Sequence, residues 1–334
     1  MSLGVTEACR AIGVKPIHSF AIEWDPVFAE VYRSNFKPKQ QTVGDIVDVM
    51  PGRLGAPLTT EEKSLQTKVG SVDLLCGGPP CQGHSDLNNY TRRNDPRNSL
   101  YNRMARAADI FAPSTILIEN VPGVQRDKTG VFSETVSFLE NAGYNIKILT
   151  LNAADFGVPQ SRKRTFVIAS KLPKTLESLE ATLGAIKLKK PRSVEWALTP
   201  VNAGNAEFYQ ASKLSKESSE RVQWLFDNDQ HELPDRLRPD CHKLKRHSYK
   251  SVYGRMFADK PAPTITTGCL VMGQGRFIHP HEPRTITPHE AARLQSFPDF
   301  FDFGVQNRTT YAKMIGNAVP PLLAYAVSLS ILCQ

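Results

Sequence analysis

Short apolar runs alternate with segments of helical periodicity over the first half of the chain. Five runs have the pattern of strands: IHSFAIE (17–23), SVDLLCGG (71–78), TILIENV (115–121), YNIKILT (144–150) and TFVIAS (165–170). Between the first two lies DPVFAEVYRSNF, in which Asp25 is placed to cap a helix that begins at Pro26. This alternation predicts an α/β fold in which helices cover the faces of a sheet.

The pattern changes twice after residue 170. Residues 171–255 are polar and irregular, which predicts a separate small domain. Helical patterns return in TPHEAARLQSFP, where Thr287 is a candidate cap, and in the apolar GNAVPPLLAYAVSLSILC. We therefore expect an α/β domain over 1–170, a small domain over 171–255 and a C-terminal segment over 256–334 that packs back on the first sheet.

Charge adds a candidate partner to this picture. The 334 residues carry 41 Lys and Arg against 33 Asp and Glu, a formal net charge of +8 that favours a polyanionic partner. Two basic stretches with nearby tyrosines, 92–106 and 236–255, suit phosphate contacts and base stacking, although two solvated loops would have the same composition. We expect a cytoplasmic protein that binds nucleic acid and no membrane.

Cysteine usage argues against disulfides and metals. Six cysteines in a chain of this length do not form a dense disulfide framework, and none lies in a CxxC pair. Cys241, His242 and His247 offer too few ligands at too loose a spacing for zinc. We predict reduced thiols and no metal.

The first predicted strand ends in a candidate nucleotide-binding pair, since sites in open α/β sheets lie beyond the carboxyl ends of the strands. Glu23 can accept hydrogen bonds from both hydroxyls of a ribose, and Trp24 offers an aromatic face. Asp45 and Ile46 add a candidate acceptor and an apolar face for an adenine. The alternative is that Glu23 is an ordinary surface residue and Trp24 an ordinary core residue, so the residue types alone are weak evidence for a nucleotide site.

The second and third predicted strands end in a thiol and a carboxyl. Pro79 and Pro80 stiffen the turn before Cys81, so this thiol is aimed, whereas Cys76 inside the apolar run has the pattern of a buried cysteine. Glu119 ends the third strand. A thiolate and a carboxyl suit attack on carbon 6 of cytosine, because a buried glutamate can donate a proton or a strong hydrogen bond to ring N3.

A third polar element, QSRKR, precedes the last of these strands. On an extended chain Gln160, Arg162 and Arg164 face one way. Their candidate partners are a carbonyl and phosphates of a flipped nucleotide, or Glu119. A solvated edge strand is the alternative.

In this order, these residues resemble the cytosine-5 DNA methyltransferase family. PPCQG, ENV, QSRKR, RTITPHEAARLQSFPD and GNAVPP match five of its motifs, over most of the chain outside 171–250. The resemblance implies a Rossmann-like S-adenosylmethionine-dependent methyltransferase sheet and a smaller target-recognition domain over 171–255. It also implies that a cytosine in a specific duplex DNA sequence is flipped out and methylated on carbon 5 through a covalent Cys81 adduct.

The resemblance carries site roles over residue by residue. Cys81 would be the nucleophile and Glu119 the group at N3 and the exocyclic amine, while Arg162 and Arg164 would support the flipped base and the catalytic loop. The cofactor pocket would contain Glu23, Trp24, Asp45, Ile46, Pro79, Leu100 and Asn317. DNA contacts would come from Gln82, Ser85, Arg97, Gln160, Lys243, Lys245 and Arg246. We expect a monomer, with a restriction endonuclease of the same restriction-modification system as a further partner.

The chain departs from the family pattern in two places. The family opens with a strand and a Phe-x-Gly-x-Gly-Gly loop that holds the methionine end of the cofactor, whereas this chain starts at MSLG; we therefore expect the chain as given to bind S-adenosylmethionine weakly. GHSDLNNY stands where the family has Phe-Ser after the Cys-Gln step, so His84, Asn88 and Asn89 are expected to reshape the loop that closes on DNA.

Two rival functions stay open on the sequence. One is the tRNA-methylating branch of the same family, although its Cys-Phe-Thr signature is absent here. The other is a non-catalytic DNA-binding relative. The recognised DNA sequence is not specified by these patterns, because a variable domain reads bases through its geometry.

Overall fold

The computed structural model describes residues 1–80, 100–127, 129–198, 207–240 and 251–333. The chain divides into two compact units. The first consists of Met1–Asn152, Lys163–Lys187 and Leu323–Gln334, and the second of Ala153–Arg162 and Leu188–Leu322.

The strands of the described residues all belong to the first unit. They are β1 (Phe20–Glu23), β2 (Gln40–Val43), β3 (Leu74–Gly77), β4 (Thr115–Asn120), β5 (Asn145–Asn152) and β6 (Lys163–Ser170). β1 and β2 pair in parallel, while the other four form a sheet of order β3-β4-β6-β5 in which only β3 and β4 are parallel. The five predicted strands are present with shifted ends. β2 was not predicted, because QQTV is short, has three polar residues out of four and shows no alternation.

Helices separate most of the strands. They are α1 (Ser2–Ala11), α2 (Pro26–Phe36), α3 (Ile46–Val49), α4 (Thr60–Val69), α5 (Tyr101–Phe111), α6 (Val131–Asn141), α7 (Pro173–Glu177), α8 (Leu179–Ile186), α9 (Val194–Ala197), α10 (Lys216–Asp227), α11 (Pro288–Leu294), α12 (Arg308–Asn317) and α13 (Pro321–Leu332). Short 3₁₀ helices cover Pro122–Arg126, Ala153–Phe156, Glu207–Tyr209, Asp235–Leu237 and Met272–Gln274.

Two predicted helix caps are confirmed. The Asp25 carboxylate accepts the Val27 N–H at 2.9 Å and so satisfies one of the unpaired donors at the start of α2. Thr287 and Glu290 form a reciprocal capping box at the start of α11.

The second unit has its own apolar core. Val194 and Ala197 of α9 are buried in one cluster with Phe277, Ile286 and Ile315. This differs from the predicted boundaries, which separated 171–255 from 256–334, because side chains from both ranges fill the same core. Of these two ranges, residues 171–187 and 323–334 belong with the first unit, and the rest belongs to the second. A target-recognition role for 171–255 stays a prediction.

One stretch of the described residues, Arg308–Leu332, is long and apolar enough to cross a membrane by length and composition, with a mean hydropathy of 1.6 over its best window. That window is 67% buried inside the protein, and the stretch contains two helices, α12 and α13, separated at Pro320. Burial of this kind is what a core helix of a folded domain shows.

A buried ion pair ties the loop before α4 to α5 in the first unit. The Glu62 carboxylate accepts the N–H groups of Gly52 and Thr59, each at 3.0 Å, and is paired with Arg106. The Arg106 guanidinium also bonds the Asp109 carboxylate and the Ala56 carbonyl, both at 2.7 Å. Burial opposes ionisation of Glu62, but its hydrogen bonds, above all from Arg106, outweigh burial and lower its pKa.

We predict that Glu62→Gln destabilises the protein by about 3–5 kcal/mol, because it removes the buried partner of Arg106 and leaves the partly exposed Asp109 carboxylate to balance this charge. Glu61→Gln, on the same helix turn but exposed, is the control and should change stability by less than about 0.5 kcal/mol. Urea titrations of the two variants measure the difference.

The pH dependence has a definite sign. The folded-state pKa of Glu62 is lowered, so its contribution is present above the unfolded value of about 4.3 and is lost as the pH falls through the folded value. The wild type should therefore lose this part of its stability on acidification while Glu62→Gln should not. Parallel curves for both proteins would contradict the role of the pair.

Candidate active site at the ends of β3 and β4

The parallel pair β3 and β4 brings two motifs to the same edge of the sheet. Gly77, the last residue of β3, lies opposite Ile118, so Glu119 and Asn120 of β4 run alongside the turn that follows β3. The Asn120 amide donates to the Pro79 carbonyl at 3.3 Å. A Cβ on Gly78 would lie 3.2 Å from Oε2 of Glu119. The rigid turn is thus docked directly against the Glu119 carboxyl group.

Arg164, near the start of β6, orients that carboxyl group. Its Nε lies 2.8 Å from Oε1 of Glu119, and the two side chains are only 12% and 11% exposed. The antiparallel register pairs Glu119 with Phe166, which brings Arg164 close to the carboxylate. One oxygen of Glu119 is therefore committed to Arg164, and the other faces Gly78. The predicted partnership of Arg164 with Glu119 is present.

A polar network that the sequence did not indicate fixes the turn after Glu119-Asn120. The Gln125 amide donates to the hydroxyls of Thr150 at 3.0 Å and Thr165 at 3.2 Å, and these two hydroxyls lie 2.8 Å apart. Thr165 is paired with Asn120 across β4 and β6. These three residues belong to no recognisable motif, so only the folded strands bring them together.

Cys76 lies on β3, just before this turn. Burial raises the pKa of its thiol, so Cys76 stays protonated at neutral pH. The raised pKa favours the expectation that Cys76 is not the nucleophile, and its side chain is half-buried rather than fully buried.

The ends of β1 and β2 form a second candidate binding edge in the same unit. Oε1 of Glu23 accepts the Asp25 N–H at 3.1 Å, and burial raises the pKa of this carboxyl group. The neighbouring Trp24 is 75% exposed, so its indole face is open for stacking. Oδ1 of Asp45 accepts the Val47 N–H at 2.9 Å and caps α3, while Ile46 packs into an apolar cluster with Met50.

This edge fits the nucleoside part of S-adenosylmethionine chemically. A half-buried carboxylate suits a ribose diol, and an exposed indole suits an adenine. Asp45 is a weaker candidate than expected, since one of its oxygens already caps a helix. Pro79 is docked on Asn120 and Leu100 directly precedes α5, whereas Asn317 is an exposed residue at the end of α12 in the second unit.

Arg162 and Gln160 are buried inside the second unit and serve its architecture. Arg162 donates to the carbonyls of Ile265 at 2.7 Å, Gly316 at 2.9 Å and Ala318 at 3.2 Å. Gln160 is completely buried; its amide donates to Oε1 of Gln295 at 2.8 Å, and its oxygen accepts the Ile265 N–H at 2.8 Å.

These contacts correct two expectations. Gln160, Arg162 and Arg164 do not share one set of partners, because the first two bond within the second unit and Arg164 bonds within the first. Gln160 is unsuited to a direct DNA contact, because its side chain is 0% exposed and its amide and carbonyl oxygen are both bonded to protein groups. Gln295, also fully buried, was missed; its place in the LQSFP motif was the only signal.

Seven predicted site residues lie outside the described residues: Cys81, Gln82, Ser85, Arg97, Lys243, Lys245 and Arg246. The same holds for His84, Asn88, Asn89, Cys241, His242 and His247. Among the part of the chain that is described, no group of three His, Cys, Asp or Glu side chains is placed to hold a metal ion.

Comparison with known proteins agrees with this architecture. The family model for C-5 cytosine-specific DNA methylases matches residues 4–333. The chain is 49% identical over 331 residues to the type II methyltransferase M1.BsuMI of Bacillus subtilis, covering 98% of this chain and 77% of that protein.

Solved structures match over nearly the whole chain. A protein encoded within an E. coli prophage and assigned as a DNA modification methyltransferase superposes with a TM-score of 0.66 at 25% identity, covering 98% of this chain and 94% of that one. The Dnmt2 methyltransferase of S. pombe, at 18% identity, has a TM-score of 0.63 over 98% of this chain and 94% of its own, which supports the fold alone.

Fold and strand-end site together define an α/β methyltransferase of the Rossmann-like class. Within that class, the chain belongs to the C-5 cytosine-specific DNA methylase family. It is a DNA (cytosine-5-)-methyltransferase, and this family in general takes its methyl group from S-adenosylmethionine. The predicted resemblance, fold class and reaction are confirmed.

We predict that Arg162→Ala destabilises the protein by at least roughly 2 kcal/mol, since it leaves the buried carbonyls of Ile265 and Gly316 without this donor at about 1–3 kcal/mol each. Lys163→Ala, at the adjacent exposed position, is the matched control. Urea titration of both variants measures the difference. Equal denaturation midpoints would show that Arg162 does not hold the second unit together.

Proposed function

We propose that this protein methylates cytosine in a specific duplex DNA sequence, with Cys81 as the nucleophile and Glu119 as the group that activates the base. One observation carries the proposal. The Asn120 amide bonds the Pro79 carbonyl, Glu119 lies against Gly78, and Cys81 follows Pro79 two residues later in the sequence. A thiol on a rigid turn beside an oriented carboxyl group is the pair that attack on a cytosine requires.

The two carboxylate oxygens of Glu119 have different surroundings and are assigned different roles. Arg164 holds Oε1, which fixes the plane of the carboxyl group, and Oε2 faces Gly78. We assign Oε2 to ring N3 of the flipped cytosine. With a proton or a strong hydrogen bond at N3, carbon 6 accepts the Cys81 thiolate and carbon 5 becomes a carbon nucleophile.

S-adenosylmethionine, when bound, supplies an electrophilic methyl group for carbon 5. A base then takes the carbon 5 proton, the Cys81–carbon 6 bond breaks to release the Cys81 thiolate, and the N3 proton returns to Glu119, which restores the aromatic ring. Glu23 would hold the ribose hydroxyls and Trp24 would stack on the adenine, with Ile46, Pro79, Leu100 and Asn317 as further candidates. Asp45 would contribute through its oxygen that does not cap α3.

The biological setting is proposed from the relatives. M1.BsuMI and M.HgiDII are named type II methylating enzymes, which supports a role as the modification enzyme of a restriction-modification system. A cognate restriction endonuclease is then the expected functional partner. We further propose a monomer that acts in the cytoplasm, with Gln82, Ser85, Arg97, Lys243, Lys245 and Arg246 as its contacts to duplex DNA.

We expect Cys81→Ala to abolish methyl transfer and leave DNA binding nearly unchanged, because the thiol acts only after the base is flipped. Methylation-sensitive sequencing of DNA from cells that express each protein measures the activity. Duplex DNA that contains 5-fluorocytosine should trap the wild type, and not the variant, as a denaturation-resistant adduct. Normal turnover by the variant would exclude Cys81 as the nucleophile, and methylation of tRNA in place of DNA would assign the chain to the rival branch.

We expect Glu119→Gln to fold normally and to lose roughly 10²–10⁴ in kcat, the usual contribution of a positioned acid. Arg164→Lys keeps the charge but not the planar fork and should lose less. Single-turnover rates on saturating DNA isolate the chemical step. A change smaller than about threefold for Glu119→Gln would limit this residue to a structural role, since the usual contribution would be absent.

A further inference from the structure

A short basic segment, KLKKPRSVEW at 187–196, has no role in the chemistry derived above, and all of it after Lys187 belongs to the second unit. Four of its first six residues are cationic, and no acid precedes Glu195. Lys189 and Lys190 are exposed, and neither pairs with an acidic side chain among the described residues. A run of lysines is often only a solvated surface, so the way the segment is held decides its interpretation.

Backbone hydrogen bonds anchor the segment at both ends. The Leu188 N–H donates to the Asp155 carbonyl at 2.8 Å, and the Val194 N–H donates to the Lys260 carbonyl at 2.9 Å. Gly157, with a φ of +85°, leaves room for the side chains of Leu188 and Arg192, which approach within 3.4 Å and 3.6 Å of the place where a Cβ would lie. The lysines between these anchors therefore project from a fixed backbone.

Arg192 is held by an aromatic support. Its guanidinium lies 4.0 Å from the centre of the Trp196 ring, and Trp196 is itself 50% exposed. Stacking fixes the guanidinium plane and leaves its N–H edge for other partners. Lys260 adds a further exposed cation where the two segments are joined. The nearby acids reduce this charge only partly: Glu195 lies 3.7 Å from His281, and Asp259 is exposed.

The anchors connect this surface to the QSRKR motif. The Ala262 N–H donates to the Pro159 carbonyl at 2.9 Å, and the Ser161 N–H donates to the Ala262 carbonyl at 2.8 Å. Residues 258–262 are thus hydrogen-bonded to the end of the basic segment through Lys260 and to the QSRKR motif through Ala262. Cations placed on such a rigid framework bind a polyanion at a lower entropic cost than lysines on a free loop.

We propose that Lys189, Lys190 and Arg192 form a binding site for the phosphate backbone of the substrate DNA. The site acts independently of base sequence, since lysines contact phosphates as point charges and carry no base information. The proposal rests on the proposed function in one respect, because it takes duplex DNA as the substrate.

The test is equilibrium binding of a fluorescein-labelled duplex of random sequence over a range of salt concentrations. The test variant is Lys189→Ala/Lys190→Ala in the full chain. The matched control is Lys63→Ala/Lys68→Ala, which removes the same charge from two exposed positions of α4. Lys189→Arg/Lys190→Arg keeps both charges and should bind like the wild type.

We expect the test variant to lower the slope of log K against log salt by roughly 1.8, at about 0.9 for each lost phosphate contact. Its affinity at physiological salt should fall about 4- to 25-fold, at roughly two- to fivefold for each exposed charge pair. Denaturation midpoints equal to those of the wild type exclude misfolding as the cause.

Three outcomes overturn the proposal: an unchanged slope, an equal change in the control, or a failure of the arginine variant to restore binding. An unchanged slope would favour a protein partner for this surface in place of DNA. Methylation of DNA by the wild type is scored separately in cells. If the wild type does not methylate DNA, the proposed function is refuted. If the wild type methylates DNA and the lysine variant has an unchanged salt slope, only this phosphate site is refuted.

Discussion

Four residue pairs hold β3 against β4 in a parallel register, from Leu74–Thr115 to Gly77–Ile118. Because the pairing is parallel, both chains leave the sheet at the same edge, and because β4 is two residues longer, Glu119 and Asn120 stand beside the turn after Gly77. A shift of one residue would turn Glu119 to the opposite face of the sheet. The Asn120–Pro79 hydrogen bond and the orientation of Glu119 by Arg164 both depend on this register.

Two buried carboxylates in the first unit, Glu62 and Glu119, differ in how many of their oxygens are bonded to protein groups. Glu62 is surrounded by donors from Arg106, Gly52 and Thr59, so both of its oxygens are engaged and it stabilises the fold. Glu119 has one strong partner, Arg164, on one oxygen, and its other oxygen faces a glycine. Any side chain at position 78 would press on that oxygen, so Gly78 keeps the oxygen unobstructed on this side.

The chain leaves the first unit after β5 and returns to it at β6, and it builds part of the second unit in between. Arg162 and Arg164 are two positions apart, yet Arg162 serves the second unit and Arg164 the first. Arg162, Gln160 and Gln295 bond to one another or to backbone groups of remote motifs, which explains why QSRKR, LQSFP and GNAVPP occur in one chain. Buried polar groups of this kind need hydrogen-bond partners, so each of these side chains constrains the groups that it bonds.

Local physics in the sequence determined most elements and the candidate chemistry. Apolar runs marked five of the six strands, Asp25 and Thr287 marked helix starts, and the stiff PPC turn with Glu119 indicated the reaction. Tertiary structure alone decided the rest, because it depends on contacts between distant residues. The short polar strand β2 exists through its pairing with β1, and the Gln125–Thr150–Thr165 network exists only once β5 and β6 align. Burial turned Gln160 from a candidate DNA contact into an internal support, and a shared core joined residues on both sides of position 255.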